Sequence, residues 1–337
     1  MKNKIIITVF SIMLIILVIF AFEKITVEKK NFNKQTPISK QGFYLDTIID
    51  IKIFDKSNED ILQKAFQLCD YYENIFSRTK KGSEIYNLNK SGISGLKVSD
   101  ETLEVIKKGI YYSEKSNGSF DITIAPISNL WNFNNEEHYV PNEDEIKVNL
   151  EKVNYKDIEI NGNVIRFKKD GMAIDLGAIA KGYIADKIKE LLKKEGVKSA
   201  IINLGGNVLC VGKKNSEDFK VGIQKPFKDR GETIDAVSID DKSVVSSGIY
   251  ERFFEKEGKL YHHILNTKTG YPMDNYLEQV TIISKKSIDG DALSTVCFSE
   301  GIKKGMELIN SLDNIEALFV DKDGNVYESN NWNTYIE

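Results

Sequence analysis

Two hairpin turns that alternate with helical segments most constrain the fold of this chain. Asn161-Gly162 and Asp323-Gly324 each lie between two short runs rich in β-branched and aromatic residues, a pattern typical of antiparallel β-hairpins. Apolar residues at helical spacing mark Glu59–Phe76, Asp100–Glu114 and Ile184–Leu192. Because hairpins and helices are interspersed, the sequence predicts an α+β fold with mixed or antiparallel sheets and packed helices, not a purely parallel sheet.

A strand–helix–strand arrangement lies between the two hairpins. Met172–Asp175 is predicted to end a strand, the helix that follows ends near Gly196, and Ser199–Leu204 has the composition of a buried strand. Another strand is predicted over Tyr44–Phe54, where β-branched and apolar residues partly alternate with polar ones.

The N-terminal residues differ from the rest of the chain. Two lysines precede the apolar run Ile5–Phe22, which is long enough to cross most of a bilayer and is not followed by a small-residue cleavage site. We therefore predict an uncleaved membrane anchor over residues 1–24, a polar stalk over residues 25–40 and one folded domain over residues 41–337. The leading lysines favour a domain outside the cytoplasm, although the lysines after the run weaken that inference.

Composition limits the possible partners. The net charge is −4, so no general basic surface supports binding to nucleic acid. Cys69, Cys210 and Cys297 are widely spaced in apolar stretches, and they are predicted to be small core residues, not a metal or redox pair.

The segment Asp175–Tyr183 combines a carboxylate at the predicted strand end, four small residues and Lys181 in the first helical turn. Small residues let a ligand approach the backbone, and a helix N-terminus beside a lysine attracts anions. The segment therefore indicates a phosphate or diphosphate site. Tight packing of the helix on the strand explains the small residues equally well.

Asp291 and Thr295 are four residues apart and share one face of a predicted helix. A carboxylate and a hydroxyl are oxygen ligands suited to magnesium, provided that phosphate oxygens and a backbone carbonyl complete the shell. A helix-capping aspartate and a core-facing threonine are the structural alternative.

His262 and His263 are adjacent in a predicted strand, so one ring can enter a cleft while the other faces away. A neutral histidine near a phosphoryl acceptor can act as general base, whereas a purely structural strand residue is the alternative. Ser119-Phe120-Asp121 places an aromatic ring beside an acid; this can hold a flat ligand ring, although packing is the commoner reason.

Taken together, six segments in this order resemble the ApbE family, the FAD:protein FMN transferases. The resemblance extends from about Phe43 to the C-terminus. The segments are Asn117–Trp131, Ile174–Asp186, Ile202–Asn207, Ser246–Phe254, His262–Pro272 and Asp289–Phe298.

The resemblance implies an α+β fold with a cleft for FAD, and it implies roles for particular residues. Asp291 and Thr295 match side-chain ligands of a magnesium ion, and Ala178 matches a residue that gives the ion its backbone carbonyl. His263 matches a histidine that contacts FAD and activates the acceptor hydroxyl; Asp291 counts with it as catalytic. The other implied FAD contacts are Leu45, Ser119, Phe120, Asp121, Asp175 and Lys181.

Two positions depart from the family pattern. Leu45 stands where the family has a methionine, a swap that should preserve an apolar contact to the flavin ring. Thr79 stands where an aromatic residue is expected shortly before Ser83-Glu84, so one stacking partner of the ring is in doubt.

The resemblance implies transfer of the FMN half of FAD, with magnesium, onto a threonine or serine hydroxyl of a flavoprotein, with release of AMP. The acceptor would belong to an extracytoplasmic or membrane redox system. Two alternatives remain at this point: hydrolysis of FAD to FMN and AMP, and a membrane-tethered protein that binds flavin without catalysis.

Overall fold

The computed structural model describes residues 36–133, 137–229 and 231–336, so the predicted anchor over residues 1–24 lies outside the described residues. From residue 36 onward, no described helix is long and apolar enough to cross a membrane. The helices of the described part are α1 Glu59–Phe76, α2 Glu84–Ser91, α3 Asp100–Lys115, α4 Ala125–Trp131, α5 Glu143–Leu150, α6 Ala180–Lys194 and α7 Ser287–Asn310.

The strands alternate with these helices along the chain. They are β1 Ile38–Tyr44, β2 Thr47–Ile53, β3 Leu96–Lys97, β4 Ile158–Asn161, β5 Val164–Phe167, β6 Ser199–Leu204, β7 Asn207–Gly212, β8 Phe219–Gln224, β9 Thr233–Ile239, β10 Ser243–Gly248, β11 Phe253–Lys256, β12 Lys259–His262, β13 Leu277–Ser284, β14 Glu316–Asp321 and β15 Val326–Glu328.

One eight-stranded sheet organises the domain, in the order β1-β2-β6-β7-β10-β13-β14-β15 with every neighbouring pair antiparallel. Apolar residues alternate between its two faces. Ile202 and Ile282 pack on the side of α1, α6 and α7, whereas Ile201 and Ile283 pack against the β8–β9 hairpin and Trp332. The central strands are apolar throughout because both faces of the sheet are covered.

The predicted α+β class with antiparallel strands is confirmed. Both hairpins form, as β4–β5 and β14–β15, and the three predicted helices are α1, α3 and α6. Gly196, with φ +77°, follows the last turn of α6 as predicted. All three cysteines are buried and free.

Two predicted strands differ from the structure. The segment Tyr44–Phe54 contains a turn, because Leu45 and Asp46 adopt φ of 55° and 57° between β1 and β2. Before Asp175 no strand forms among the described residues; the segment makes one isolated bridge, between Ala173 and Ile124. Apolar composition carries no information on backbone pairing. Strand β1 begins at Ile38, so residues 38–40 belong to the sheet.

Candidate active site

Helices α6 and α7 cross in close contact at their N-terminal ends. A Cβ on Gly182 would lie 2.3 Å from the carbonyl oxygen of Ser287, so only glycine permits this approach. The Asp186 carboxyl group accepts the backbone N–H groups of Ser287 at 2.9 Å and Ile288 at 3.0 Å, and it thereby caps α7 from the neighbouring helix. Burial raises the pKa of Asp186 to about 6.

Asp291 lies against the first turn of α6 because of this crossing. Its Oδ2 accepts the backbone N–H of Gly182 at 2.8 Å. In a continuous helix that N–H would bond the carbonyl four residues earlier, which belongs to Ala178. Among the described residues no backbone N–H bonds the Ala178 carbonyl instead. The Asp291 carboxyl group therefore replaces the Ala178 carbonyl as the acceptor of the Gly182 N–H, and among the described residues the Ala178 carbonyl has no backbone donor.

The electrostatics of Asp291 are set by opposing effects. The side chain is only 5 % exposed, and burial raises the pKa of Asp291 above the ordinary carboxyl range. Lys181, the Gly182 N–H and the Asn207 amide each act in the opposite direction. Since Lys181 has no salt bridge within the described ranges, its charge is available to a ligand at the helix N-terminus.

Thr295 lies one turn after Asp291 on α7. Ser247, near the end of β10, contacts its hydroxyl at 3.4 Å and makes a shorter contact of 2.7 Å with the Ser294 hydroxyl. Ser294 in turn donates to the Asp291 carbonyl at 2.8 Å. A chain of hydroxyl groups therefore connects β10 to the face of α7 that carries Asp291 and Thr295.

The oxygen donors where α6 and α7 cross, from Asp291, Thr295 and the Ala178 carbonyl, fit a magnesium ion. No cluster of three or more His, Cys, Asp and Glu side chains that is placed to hold a metal occurs in the described chain. Magnesium does not need one, because it retains waters and is commonly bound by one or two carboxylates together with substrate phosphates. One carboxylate, one hydroxyl and one free carbonyl match that requirement.

Two further predicted contacts bond to other parts of the protein. Asp175 forms an ion pair with Arg78, with Nε and Oδ2 2.9 Å apart, and its Oδ1 accepts the Gly177 N–H at 2.8 Å. Leu45 lies in the β1–β2 turn, where its backbone N–H donates to Glu73 at 2.8 Å. Arg78, which the sequence did not single out, therefore holds the carboxyl group of a predicted site residue.

The loop with Ser119, Phe120 and Asp121 is held by its own hydrogen bonds. Asp121 Oδ1 accepts the N–H and the hydroxyl of Thr123 at 2.8 and 2.6 Å, and Oδ2 accepts the Tyr155 N–H at 2.9 Å. Burial raises the pKa of Asp121, whereas these three bonds oppose the increase. Ser119 donates to Glu300 at 2.5 Å, and Phe120 is buried in the core.

A polar cavity of about 260 Å³ opens beside this loop. Asp121 lines it together with two lysines. The full lining is Asn117, Gly118, Asp121, Val153, Asn154, Tyr155, Lys156, Thr267 and Lys268.

The two adjacent histidines have different environments. His262 is buried, its Nε2 lies 3.0 Å from the Met273 carbonyl, and its Nδ1 is buried without a partner in the described chain. His263 is half-buried, and its Nδ1 lies 3.2 Å from the Arg252 carbonyl. A carbonyl only accepts, so His263 carries its proton on Nδ1 and presents Nε2 as a base. Burial, followed by Arg252, lowers the pKa of His263 to about 3.

Comparison with known proteins decides the family. The model of the ApbE family matches residues 45–319. The chain belongs to the ApbE family. It is 35 % identical over 272 residues to the FAD:protein FMN transferase of Klebsiella pneumoniae (strain 342), which covers 80 % of this chain and 84 % of that protein. It is 31 % identical over 312 residues to the FAD:protein FMN transferase of Treponema pallidum (strain Nichols), which covers 86 % of each.

A solved structure agrees with this assignment. The crystal structure of the ApbE protein from Thermotoga maritima superposes with a TM-score of 0.83 at 28 % identity, covering 90 % of this chain and 100 % of that one. The predictions of the ApbE family and of a transferase enzyme are confirmed.

Within this ApbE domain, the structure brings together Ala178, Lys181 and Asp291, with Thr295 one turn along α7. The charge of Lys181 contributes to lowering the pKa of His263, after the larger effects of burial and Arg252. Three residues that support the site were not predicted as site residues: Asn207, Ser247 and Asp186. Each lies in a quoted segment of the resemblance, but only the fold reveals its partner on α7.

Proposed function

We propose that this chain transfers the FMN half of FAD to a threonine or serine hydroxyl of another protein and releases AMP. Two relatives carry the name FAD:protein FMN transferase. The observation that carries the proposal is the bond from the Gly182 N–H to Asp291, which leaves the Ala178 carbonyl free beside a buried carboxylate and Lys181.

In the proposed reaction the acceptor oxygen forms a bond to the FMN-side phosphorus. The bond from that phosphorus to the bridging oxygen breaks, and AMP leaves with the bridging oxygen. A magnesium ion held by Asp291, Thr295 and the Ala178 carbonyl would neutralise charge on the diphosphate. Lys181, in the first turn of α6, would bind phosphate oxygens.

His263 is the proposed general base. Because Nδ1 is bonded to the Arg252 carbonyl, Nε2 is the nitrogen that can receive the proton of the attacking hydroxyl. The lowered pKa of His263 keeps the ring neutral at physiological pH, so Nε2 has a free lone pair, but it also makes the ring a weaker base than an ordinary histidine. The remaining proposed contacts to FAD are Leu45, Ser119, Phe120, Asp121 and Asp175.

We also propose that residues 1–24 anchor the protein in the cell membrane and that the domain lies outside the cytoplasm. The apolar run Ile5–Phe22 supports this proposal. Fusion of a reporter enzyme to the C-terminus, active only outside the cytoplasm, tests it: an inactive reporter on an intact fusion would reject the orientation.

The activity is tested with full-length protein, FAD, Mg²⁺ and a candidate acceptor flavoprotein. Intact-mass spectrometry should find the acceptor heavier by one FMN, with one AMP released per modification, and chelation of the metal should stop both. An acceptor whose candidate serines and threonines are replaced by alanine is the control. Free FMN without a modified acceptor would instead identify a hydrolase, and FAD binding without turnover would identify a flavin-binding protein.

The acceptor itself is found by comparing cells. Mass spectrometry of membrane proteins from cells with and without this enzyme should reveal peptides that carry FMN only when the enzyme is present.

A further inference from the structure

Asn207 begins β7 directly behind the candidate metal centre. It is 1 % exposed. Its Oδ1 accepts the Ser287 hydroxyl at 2.7 Å, in the first turn of α7. Gly205, with φ +62°, sets the turn before it and lies so close to Thr47 that a Cβ would be 2.2 Å from the threonine hydroxyl. The backbone that carries Asn207 is therefore fixed, and so is the oxygen end of its amide.

The nitrogen end of the Asn207 amide has no partner with good hydrogen-bond geometry within the described ranges, and no solvent reaches it. A buried donor without a partner costs about 1–3 kcal/mol. Asp291 is the candidate acceptor, since Ser287, whose hydroxyl bonds Asn207 Oδ1, and Asp291 are four residues apart on the same face of α7.

The opposite orientation of the amide is unfavourable. It would turn Oδ1 toward the Asp291 carboxylate and bring two acceptors together without a proton between them. Asp291 and Ser287 therefore select the same orientation of Asn207.

We propose that Asn207 is a positioning residue, whose amide nitrogen donates to the Asp291 carboxyl group and, together with the Gly182 N–H, fixes the direction of the lone pairs that face the cation. This inference rests on the proposed use of magnesium at Asp291. A carboxylate held by two donors cannot rotate, so its remaining lone pairs are oriented before the ion binds.

The test measures metal binding directly. Mn²⁺ serves as probe, its free concentration is followed by electron paramagnetic resonance, and ADP is present as an unreactive diphosphate. Two full-length variants remove the amide: Asn207→Ala with loss of side-chain volume and Asn207→Val without it. Each should weaken Mn²⁺ binding about 10- to 100-fold, which is the range typical of residues that orient metal ligands.

Ser199→Ala is the matched control. Ser199 also carries a buried polar atom without a partner in the described chain, and it lies at the opposite end of the same β6–β7 hairpin. This variant should bind Mn²⁺ within about twofold of wild type, because its hydroxyl is about five strand residues, or roughly 17 Å, from Asn207.

The outcomes separate the two proposals. Wild-type protein that binds no Mn²⁺ refutes the metal centre, and with it the role of Asn207. Wild-type binding together with unchanged binding by a folded Asn207 variant refutes only the positioning role. If neither variant folds, a crystal structure of the wild type with Mn²⁺ decides: an Asn207 Nδ2 within about 3.2 Å of an Asp291 oxygen is expected, and a longer separation overturns the inference.

Discussion

The crossing of α6 and α7 and the loop after α3 each contain a buried carboxylate, Asp291 and Asp121, and the two carboxylates are used differently. Asp291 and Asp121 are 5 % and 7 % exposed, and burial raises the pKa of both. Asp121 accepts three hydrogen bonds from Thr123 and Tyr155, which engage both oxygens. Asp291 accepts one bond of good geometry, from Gly182.

The difference lies in the lone pairs that remain. An ionised carboxylate offers about four acceptor positions. Three of them are used by the protein at Asp121, so its main effect is to order the loop that carries Ser119 and Phe120. At Asp291 most of the acceptor positions remain unused. Lys181 and the Ala178 carbonyl supply the other groups that a metal-bound diphosphate would need there. Burial alone does not distinguish a ligand-binding carboxylate from a structural one; the hydrogen-bond inventory does.

The largest expected effect is that of Asp291→Asn on FMN transfer. The variant keeps an oxygen for the Gly182 N–H but loses the charge that would hold the metal. We expect the rate to fall about 10³-fold or more, corresponding to roughly 4 kcal/mol of transition-state stabilisation. Transfer is measured by intact mass of the acceptor, and a variant within tenfold of wild type would remove Asp291 from the metal centre.

The same variant makes a prediction about stability and pH. Because the pKa of Asp291 is raised, the folded protein binds this proton more tightly than the unfolded chain does, and ionising the group costs folding free energy as the pH rises above about 4. The asparagine side chain of the Asp291→Asn variant cannot ionise. Without added metal, its free energy of unfolding should therefore increase relative to wild type between about pH 4 and 8, as measured by urea denaturation.

Lys181→Met should reduce transfer less, by about 10- to 100-fold, since the proposed magnesium ion would still neutralise charge on the diphosphate. Lys187→Met is the matched control: Lys187 lies on the same helix but pairs with Glu104 and Glu190 on the surface. Equal losses in the two variants, measured as kcat/KM for FAD, would show that Lys181 acts only through the general charge of α6.

Asp121→Asn should act mainly on stability. Its new amide nitrogen would face either the Tyr155 N–H or the Thr123 N–H, and one buried donor would lose its partner at a cost of about 1–3 kcal/mol. Transfer per folded molecule should stay within about tenfold of wild type. A stable variant with a loss of transfer as large as that of Asp291→Asn would contradict the distinction between the two carboxylates.

The sequence predicted the positions of helices and hairpins better than it predicted which distant segments contact each other. Helical periodicity located α1, α3 and α6, and turn residues located two hairpins, because these signals are local. The turn at Leu45-Asp46 was missed because leucine rarely adopts positive φ and no glycine or proline marks the turn, although aspartate is among the residues enriched at positive φ. Asp291, Thr295 and Lys181 followed from the order of segments in the chain. The bond from Gly182 to Asp291 joins residues 109 positions apart, so no local pattern predicts it.

The smallest expected effect concerns His262 and His263, neither of which should change its protonation near neutral pH. Like Asp291, each ring nitrogen without a proton keeps a lone pair that can accept a hydrogen bond or a proton. Burial lowers the pKa of His262 to about 4 and of His263 to about 3. Their ring signals in NMR spectra should therefore not shift between about pH 5.5 and 8, where an unperturbed histidine titrates. Arg252→Gln removes a neighbouring positive charge from His263 alone, so its pKa should rise while that of His262 stays unchanged. A wild-type His263 that titrates near neutral pH would mean that the ring is more open to water than its packing indicates, and Nε2 would then lose its proton-accepting form below neutrality.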